Sequence, residues 1–122
     1  MKLVRIYGDH NGHSHFGEIE LKLSEREFCP PSPTGYTVTD AMPATEVRIL
    51  RTPAGYVDDW HPVPGRVLAT LLSGTLRVET SDGDSRMFEA GDQFLCEDTI
   101  GQGHRMMELA GRAYDMALVM LA

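Results

Sequence analysis

The chain has few cysteines, little positive charge and no long apolar run, and each scarcity excludes a class of protein. Two cysteines among 122 residues are too few for the disulfide framework of a small secreted domain. The start of the chain becomes polar within its first ten residues, before the apolar region of a secretory signal could form. We therefore expect a cytoplasmic protein in which Cys29 and Cys96 are reduced thiols.

Positive charge is also too scattered to suit a polyanionic partner. Lys and Arg number eleven against eighteen Asp and Glu, and the net charge is −7 at pH 7. No group of basic residues forms a stripe that could neutralise successive phosphates. An acidic chain is unsuited to anionic lipid, and no apolar run is long enough to span a bilayer. The sequence thus predicts neither a nucleic-acid partner nor a membrane partner.

What the chain does contain is the alternation of β-strands. Ile19, Leu21 and Leu23 alternate with charged residues, as in a strand with one buried face. Such runs recur about every eight to twelve residues, a spacing that favours a β-sandwich or barrel. Between two of them, Asp82-Gly83 is typical of a tight hairpin turn. The predicted strands are 3–7, 16–23, 45–51, 66–73, 75–80, 85–89, 93–97, 104–109 and 113–121.

Glycine and histidine recur between Gly55 and His104 in a pattern that resembles the two sequence motifs of the cupins. Those motifs are G-x5-H-x-H-x3,4-E-x6-G and G-x5-P-x-G-x2-H-x3-N, and the likeness is to small, single-domain cupins of the conserved-barrel type. The stretches that carry the resemblance are Gly55-x5-His61 followed by Gly74, and Gly91 followed by Gly103-His104. The resemblance implies an all-β, double-stranded β-helix (jelly-roll) barrel.

The resemblance also sets the expected domain organisation. It covers residues 45–121, so we expect a single domain with residues 1–44 as an N-terminal strand extension and residues 45–122 as the barrel core. Residues 28–35 contain three prolines and a glycine and are predicted to be a surface loop, since neither side of them is long enough for an independent domain.

The metal-ligand positions of the cupin motifs are only partly filled. His61 takes the first histidine position, whereas Val63 and Val67 take those of the second histidine and the glutamate. His104 takes the last histidine position, two residues later than the pattern requires. A catalytic divalent ion needs three or more donor atoms from the protein. His61 and His104 are therefore weak metal candidates, and a transition-metal cofactor is not expected to be tightly bound.

The same two histidines are candidates for proton transfer, because imidazole ordinarily titrates near neutral pH. Either of them can equally be a hydrogen-bonded structural residue. Glu97 and Asp98 end a predicted strand, and adjacent strand residues face opposite ways, so one carboxylate is expected in the pocket. Glu97 is the candidate helper in catalysis, whereas Asp98 can instead bond the backbone of the following turn.

A second histidine cluster, His10, His13 and His15, includes the pattern H-x-H-x4-E. It lacks the glycines that the cupin motif places on either side, so we interpret it as a turn and strand outside the core barrel. The alternative is that His13 or His15 reaches a pocket, in its own chain or a dimer mate, and supplies missing metal donors.

The last two predicted strands are rich in methionine and apolar on both faces. One face would fill the barrel, and the other would be covered by the N-terminal extension or by a second subunit, so we expect a homodimer.

Three functions are left open. The first is an enzyme such as a lyase, isomerase or cyclase acting on a small organic molecule through His61, His104 and Glu97. The second is a metal-dependent cupin enzyme completed by Glu97, His13 or His15. The third is a non-catalytic module that binds or senses a small ligand.

Overall fold

A computed structural model describes residues 1–26, 28–31 and 35–122, and the secondary structure within these ranges is all β. No described helix is long and apolar enough to cross a membrane. The strands are β1 (Lys2–Gly8), β2 (Ser14–Glu20), β3 (Leu23–Glu25), β4 (Thr37–Thr39), β5 (Ala44–Thr52), β6 (Val67–Ser73), β7 (Thr75–Thr80), β8 (Ser85–Glu89), β9 (Gln93–Glu97), β10 (His104–Met107) and β11 (Tyr114–Leu121).

The strands form two main sheets and a separate short hairpin. The larger sheet has the order β2-β1-β9-β6-β11-β5, the smaller has the order β10-β7-β8, and β3 pairs with β4. The pair β1–β9 is parallel, whereas the other pairs are antiparallel. This all-β arrangement is the double-stranded β-helix that the motif resemblance implied.

All nine predicted strands are present, each with ends within three residues of the prediction. Strands β3 and β4 were not predicted, because three residues are too few to show an alternation. Residues 32–34 of the predicted loop over 28–35 lie outside the described part of the chain. The prediction of a loop can therefore be compared with the structure only at residues 28–31 and 35.

The core consists of apolar side chains from both sheets and from the N-terminal strand. Ile6 of β1 is fully buried in the same cluster as the barrel residues, because β1 is hydrogen-bonded to β9. The N-terminal segment thus contributes directly to the core. Aromatic rings of Phe88 and Phe94 pack with centroids 4.6 Å apart and fill part of the space between the sheets.

Strand β6 shows how alternation orients the residues that matter for the site. Val67, Ala69 and Leu71 are buried on the inner face, while Leu68 and Thr70 between them are only partly buried on the outer face. Cα pairing aligns Val67 with Cys96 and Ala69 with Phe94 of β9. The inner face of β9 is therefore set by residues 94 and 96.

Candidate active-site cavity

A cavity of about 670 Å³ opens among the inner faces of the strands. Most of its wall is apolar, with Val63, Val67, Ala69, Met116 and Leu118 among the lining residues, and the polar side chains His61 and His104 also line it. The volume lies within the range of small-molecule sites, which are typically apolar with a few placed polar groups.

His61 and His104 are brought together by a short backbone bridge. The amide of each donates to the carbonyl of the other, at 3.1 and 3.0 Å, and the two imidazole rings lie with centroids 5.0 Å apart and planes tilted by 54°. Nδ1 of His61 is 2.8 Å from the carbonyl oxygen of Asp59. Since a carbonyl only accepts, Nδ1 carries the proton, and in the neutral form of the exposed His61 ring the lone pair is on Nε2.

Gly103 makes this close approach of the two histidine segments possible. Its φ is +71°, a conformation that favours glycine. A Cβ built at this position would collide with the backbone of His61 and Pro62. The two-residue shift of His104 relative to the cupin motif is thus accommodated by a turn in which the glycine lies directly against the His61 segment.

His104 is oriented by a buried carboxylate behind it. Its Nδ1 lies 2.6 Å from Oδ2 of Asp98, and both side chains are almost completely buried. A carboxylate on Nδ1 fixes the tautomer in which Nε2 carries the lone pair. Two atoms of this pair, Nε2 of His104 and Oδ1 of Asp98, are buried without a hydrogen-bond partner among the described residues.

Glu97 does not reach the cavity, which corrects the expectation for the acidic pair. Its carboxylate binds Arg5 at 2.8 Å and Arg66 at 2.9 Å on the outer side of β9. Because strand residues alternate, Cys96 and Asp98 lie on the opposite side and are buried. Asp98 is therefore the carboxylate beside the histidines, whereas the sequence had favoured Glu97 and had left a role in the following turn as the alternative for Asp98.

Cys96 was not among the predicted site residues, yet its side chain lines the cavity and carries a free thiol. The thiol is therefore not in a disulfide with Cys29. Burial, reinforced by the negative charge of Asp98, raises the pKa of the Cys96 thiol well above its usual value. It is thus a neutral thiol next to the His104–Asp98 pair.

The four ligand positions of the cupin motifs do not form a metal site in this chain. Val63 and Val67 are both buried and present hydrocarbon to the cavity, and the amide of Val63 donates to the carbonyl of Asp98 at 3.2 Å. His61 and His104 remain as the two donors, which is fewer than a stable catalytic site requires.

The second histidine cluster lies away from this cavity. Nε2 of His15 is 2.6 Å from Asp9 and its Nδ1 is 3.0 Å from Asp82, while His10 and His13 are exposed. Hydrogen bonding to Asp9, with that to Asp82, raises the pKa of His15, and the bond to His15 lowers the pKa of Asp9 to about 2. None of the three histidines lines the cavity of its own chain.

Comparison with known proteins supports the fold and does not extend to function. No family model and no curated protein sequence matches the chain. Among solved structures, a conserved protein with a double-stranded β-helix domain from Klebsiella pneumoniae is 19% identical, with a TM-score of 0.53. The match covers 80% of this chain and 90% of that one.

Two further structures carry cupin domains. The cupin domain of Schizosaccharomyces pombe Cnp3 is 10% identical, with a TM-score of 0.53, over 99% of this chain and 88% of that one. A cupin 2 conserved barrel domain protein from Leptotrichia buccalis is 22% identical, with a TM-score of 0.52, over 75% of this chain. This chain spans only 43% of that protein. The chain therefore resembles the cupin superfamily and has its all-β, double-stranded β-helix fold.

Proposed function

We propose that the cavity binds a small, largely apolar organic molecule and that His61 exchanges a proton with it. The observation that carries the proposal is the pair of imidazoles 5.0 Å apart in a cavity of about 670 Å³ whose wall is mostly apolar, with charged side chains such as Arg51 and Asp58 also among the lining residues. Apolar walls supply binding by burial, and the few polar groups orient the ligand.

The hydrogen bonds of His61 suit the role of a proton acceptor. Its Nδ1–H donates to the carbonyl of Asp59, so the lone pair of Nε2 is free to accept a proton from an acidic ligand group. The Asp59 carbonyl then faces an imidazolium and stabilises it through the same hydrogen bond.

His104 is the second proton-transfer candidate and is organised differently. Asp98 holds its Nδ1 at 2.6 Å and would stabilise the positive charge that appears if Nε2 accepted a proton. The ring is buried deeper than His61, so a ligand contacts His61 first. Two imidazoles that hold and release protons suit lyase, isomerase or cyclase chemistry.

The ligand-binding part can be tested with 4-nitrophenol, a small and largely apolar weak acid whose phenolate is coloured. Amide resonances of an isotopically labelled sample should shift at Ala69, Cys96 and Tyr114, which line or adjoin the cavity, and not at His15 or Phe16. Absence of binding, or shifts confined to another surface, would overturn the cavity assignment.

The proton-transfer part uses the colour of the same probe. At a pH where free 4-nitrophenol is mostly protonated, binding should increase the phenolate absorbance because His61 accepts the proton. His61→Gln should keep binding within a few-fold and lose the colour change, while His13→Gln, an exposed histidine outside the cavity, should behave as wild type. Binding with no colour change in the wild type would favour the non-catalytic binding module instead.

A further inference from the structure

A thiol, a carboxylate and an imidazole converge in the wall of the cavity, where Cys96 and His104 are lining residues. The Cys96 sulfur, a carboxylate oxygen of Asp98 and a ring nitrogen of His104 all lie within 4.8 Å of one another, and the three side chains are buried. Cys96 lies on β9, Asp98 directly follows β9, and His104 begins β10. These are groups that bind divalent transition metals.

Independent evidence for a missing partner comes from the unsatisfied atoms of the same cluster. Nε2 of His104 and Oδ1 of Asp98 are buried and have no partner among the described residues. Most buried polar groups in folded proteins are paired, so an unpaired one indicates an ion, a water or a ligand that completes the site. Here both unpaired atoms belong to residues of one candidate ligand set.

From these two observations we infer that Cys96, Asp98 and His104 form a binding site for a thiophilic divalent metal such as Zn²⁺ or Co²⁺. The set is different from the cupin motif positions, of which it shares only His104. Thiolate and carboxylate together neutralise the charge of the ion, and a sulfur donor favours zinc or cobalt over magnesium, calcium or manganese.

The geometry fits after a small adjustment. Ligand distances of about 2.0–2.3 Å in a tetrahedral site separate donor atoms by about 3.5 Å, and the three groups already lie within 4.8 Å of one another. Nδ1 of His104 and Oδ2 of Asp98 are 2.6 Å apart and would separate slightly if both became ligands. Asp98 serves as a direct ligand, which completes the three protein donors that a stable site requires. Cys96 and His104 also line the cavity, so a fourth position would face the ligand space.

The metal site adds to the proposed function. It depends on that function only in the assumption that the cavity binds a small organic molecule. In the metal-bound form His104 is a ligand, and proton exchange belongs to His61, whose Nε2 is not part of the set. A bound metal would supply Lewis acidity at the cavity wall. The phenol experiment is done on chelator-treated protein, and the metal experiment without any organic probe, so the two proposals can fail separately.

The test is titration of the purified, untagged and reduced chain with Co²⁺, followed by absorption spectroscopy. We expect one cobalt per chain, with a thiolate-to-cobalt charge-transfer band, and release of protons on binding. Cys96→Ser should abolish that band. Cys29→Ser is the matched control, because Cys29 is exposed and distant in sequence, and it should leave the band unchanged.

A second variant separates a metal role from a folding role. Asp98→Asn keeps the shape of the side chain and should weaken cobalt affinity about 10- to 100-fold, with the β-sheet circular dichroism signal retained. Loss of the charge-transfer band in Cys29→Ser would overturn the inference. Cobalt binding that shows no thiolate band and is unchanged in Cys96→Ser would also overturn it. The second result would place the ion on exposed histidines instead.

Discussion

At the scale of single residues, His15 is the side chain whose charge is most clearly coupled to the fold. It bridges Asp9 of the first turn and Asp82 of the β7–β8 hairpin, at 2.6 and 3.0 Å. Its pKa is raised above the ordinary 6.5. A raised pKa means that the ion pairs stabilise the fold fully below pH 6.5, and that this contribution is lost as the pH rises through the folded-state value.

We therefore predict that the difference in unfolding free energy between wild type and His15→Gln shrinks as the pH rises from 6 to 9. The measurement is urea unfolding at fixed ionic strength across that range. His13→Gln, which removes an exposed histidine of the same turn, should show no comparable trend. A difference independent of pH would mean that His15 contributes by packing on Tyr7 and not by its charge.

Glu108 stands where the cupin motif has asparagine, and it serves as a buried acceptor for two loops. Its carboxylate accepts hydrogen bonds from the amides of Gly55, Ala110 and Gly111 at 2.7, 2.6 and 3.2 Å. The bond from Gly55, with those from the neighbouring turn, lowers its pKa. This carboxylate thereby fixes the start of the loop that carries His61.

Because that pKa is lowered, the contribution of Glu108 is present above its ordinary pKa of 4.5 and is lost as the pH falls through the folded-state value. Glu108→Gln should therefore be less stable than wild type at pH 7, and the gap should narrow towards pH 3. Thermal unfolding at several pH values measures this. A gap of constant size would indicate that only the shape of the side chain matters.

At the scale of elements, the turn before β10 decides whether the two histidine segments can meet. Gly103→Ala should lower the free energy of unfolding by more than about 1 kcal/mol, because the new methyl group meets the backbone of His61 in addition to the unfavourable positive φ. Gly91→Ala is the matched control, since Gly91 also has a positive φ, of 95°, but has no neighbour within 4 Å of an added Cβ.

The comparison of these two variants isolates the close approach from the backbone conformation. Urea unfolding gives the stabilities, and the amide resonances of His61 and His104 report whether their backbone bridge persists. We expect both signals to shift in Gly103→Ala and neither in Gly91→Ala. Equal losses of stability in the two variants would contradict the role assigned to the close approach.

Strands and turns were largely predictable because alternation and glycine turns are local signals. The site was less so. The sequence placed His61, His104, Val63 and Val67 correctly at the cavity, but it could not decide which of Glu97 and Asp98 faces inward, since that depends on the register of β9 with β6. The pairing of Cys96 with Val67 places Cys96 on the cavity side of β9, so Glu97 faces the opposite side.

At the scale of the whole molecule, the edge of the larger sheet is unusually exposed. Strand β5 pairs only with β11 among the described strands, and Val47 and Ile49 on it are 66% and 68% exposed. A long, apolar, unpaired edge strand is prone to associate with another strand. Strand β5 is thus a specific candidate surface for the homodimer that the apolar final strands led us to expect.

An antiparallel pairing of β5 with β5 of a second copy, centred on Val47, would place Glu46 opposite Arg48 and Arg48 opposite Glu46. Opposite charges across such a pair are favourable, whereas a pairing centred on Arg48 would oppose two arginines. Glu46 and Arg48 also line the cavity, so the second copy would extend its rim. We predict a dimer in sedimentation velocity that Val47→Lys converts to a monomer.

The predicted pairing of Glu46 with Arg48 of the second copy can be tested by reversing the charges. Glu46→Arg should weaken the dimer because it opposes two arginines, Arg48→Glu should weaken it similarly, and the double variant should restore it by exchanging the charges. Met87→Lys, at an exposed apolar position on β8, serves as the control and should leave the dimer intact. A dimer unaffected by Val47→Lys, or a double variant no better than either single one, would place the contact elsewhere on the molecule, because the register centred on Val47 requires both effects.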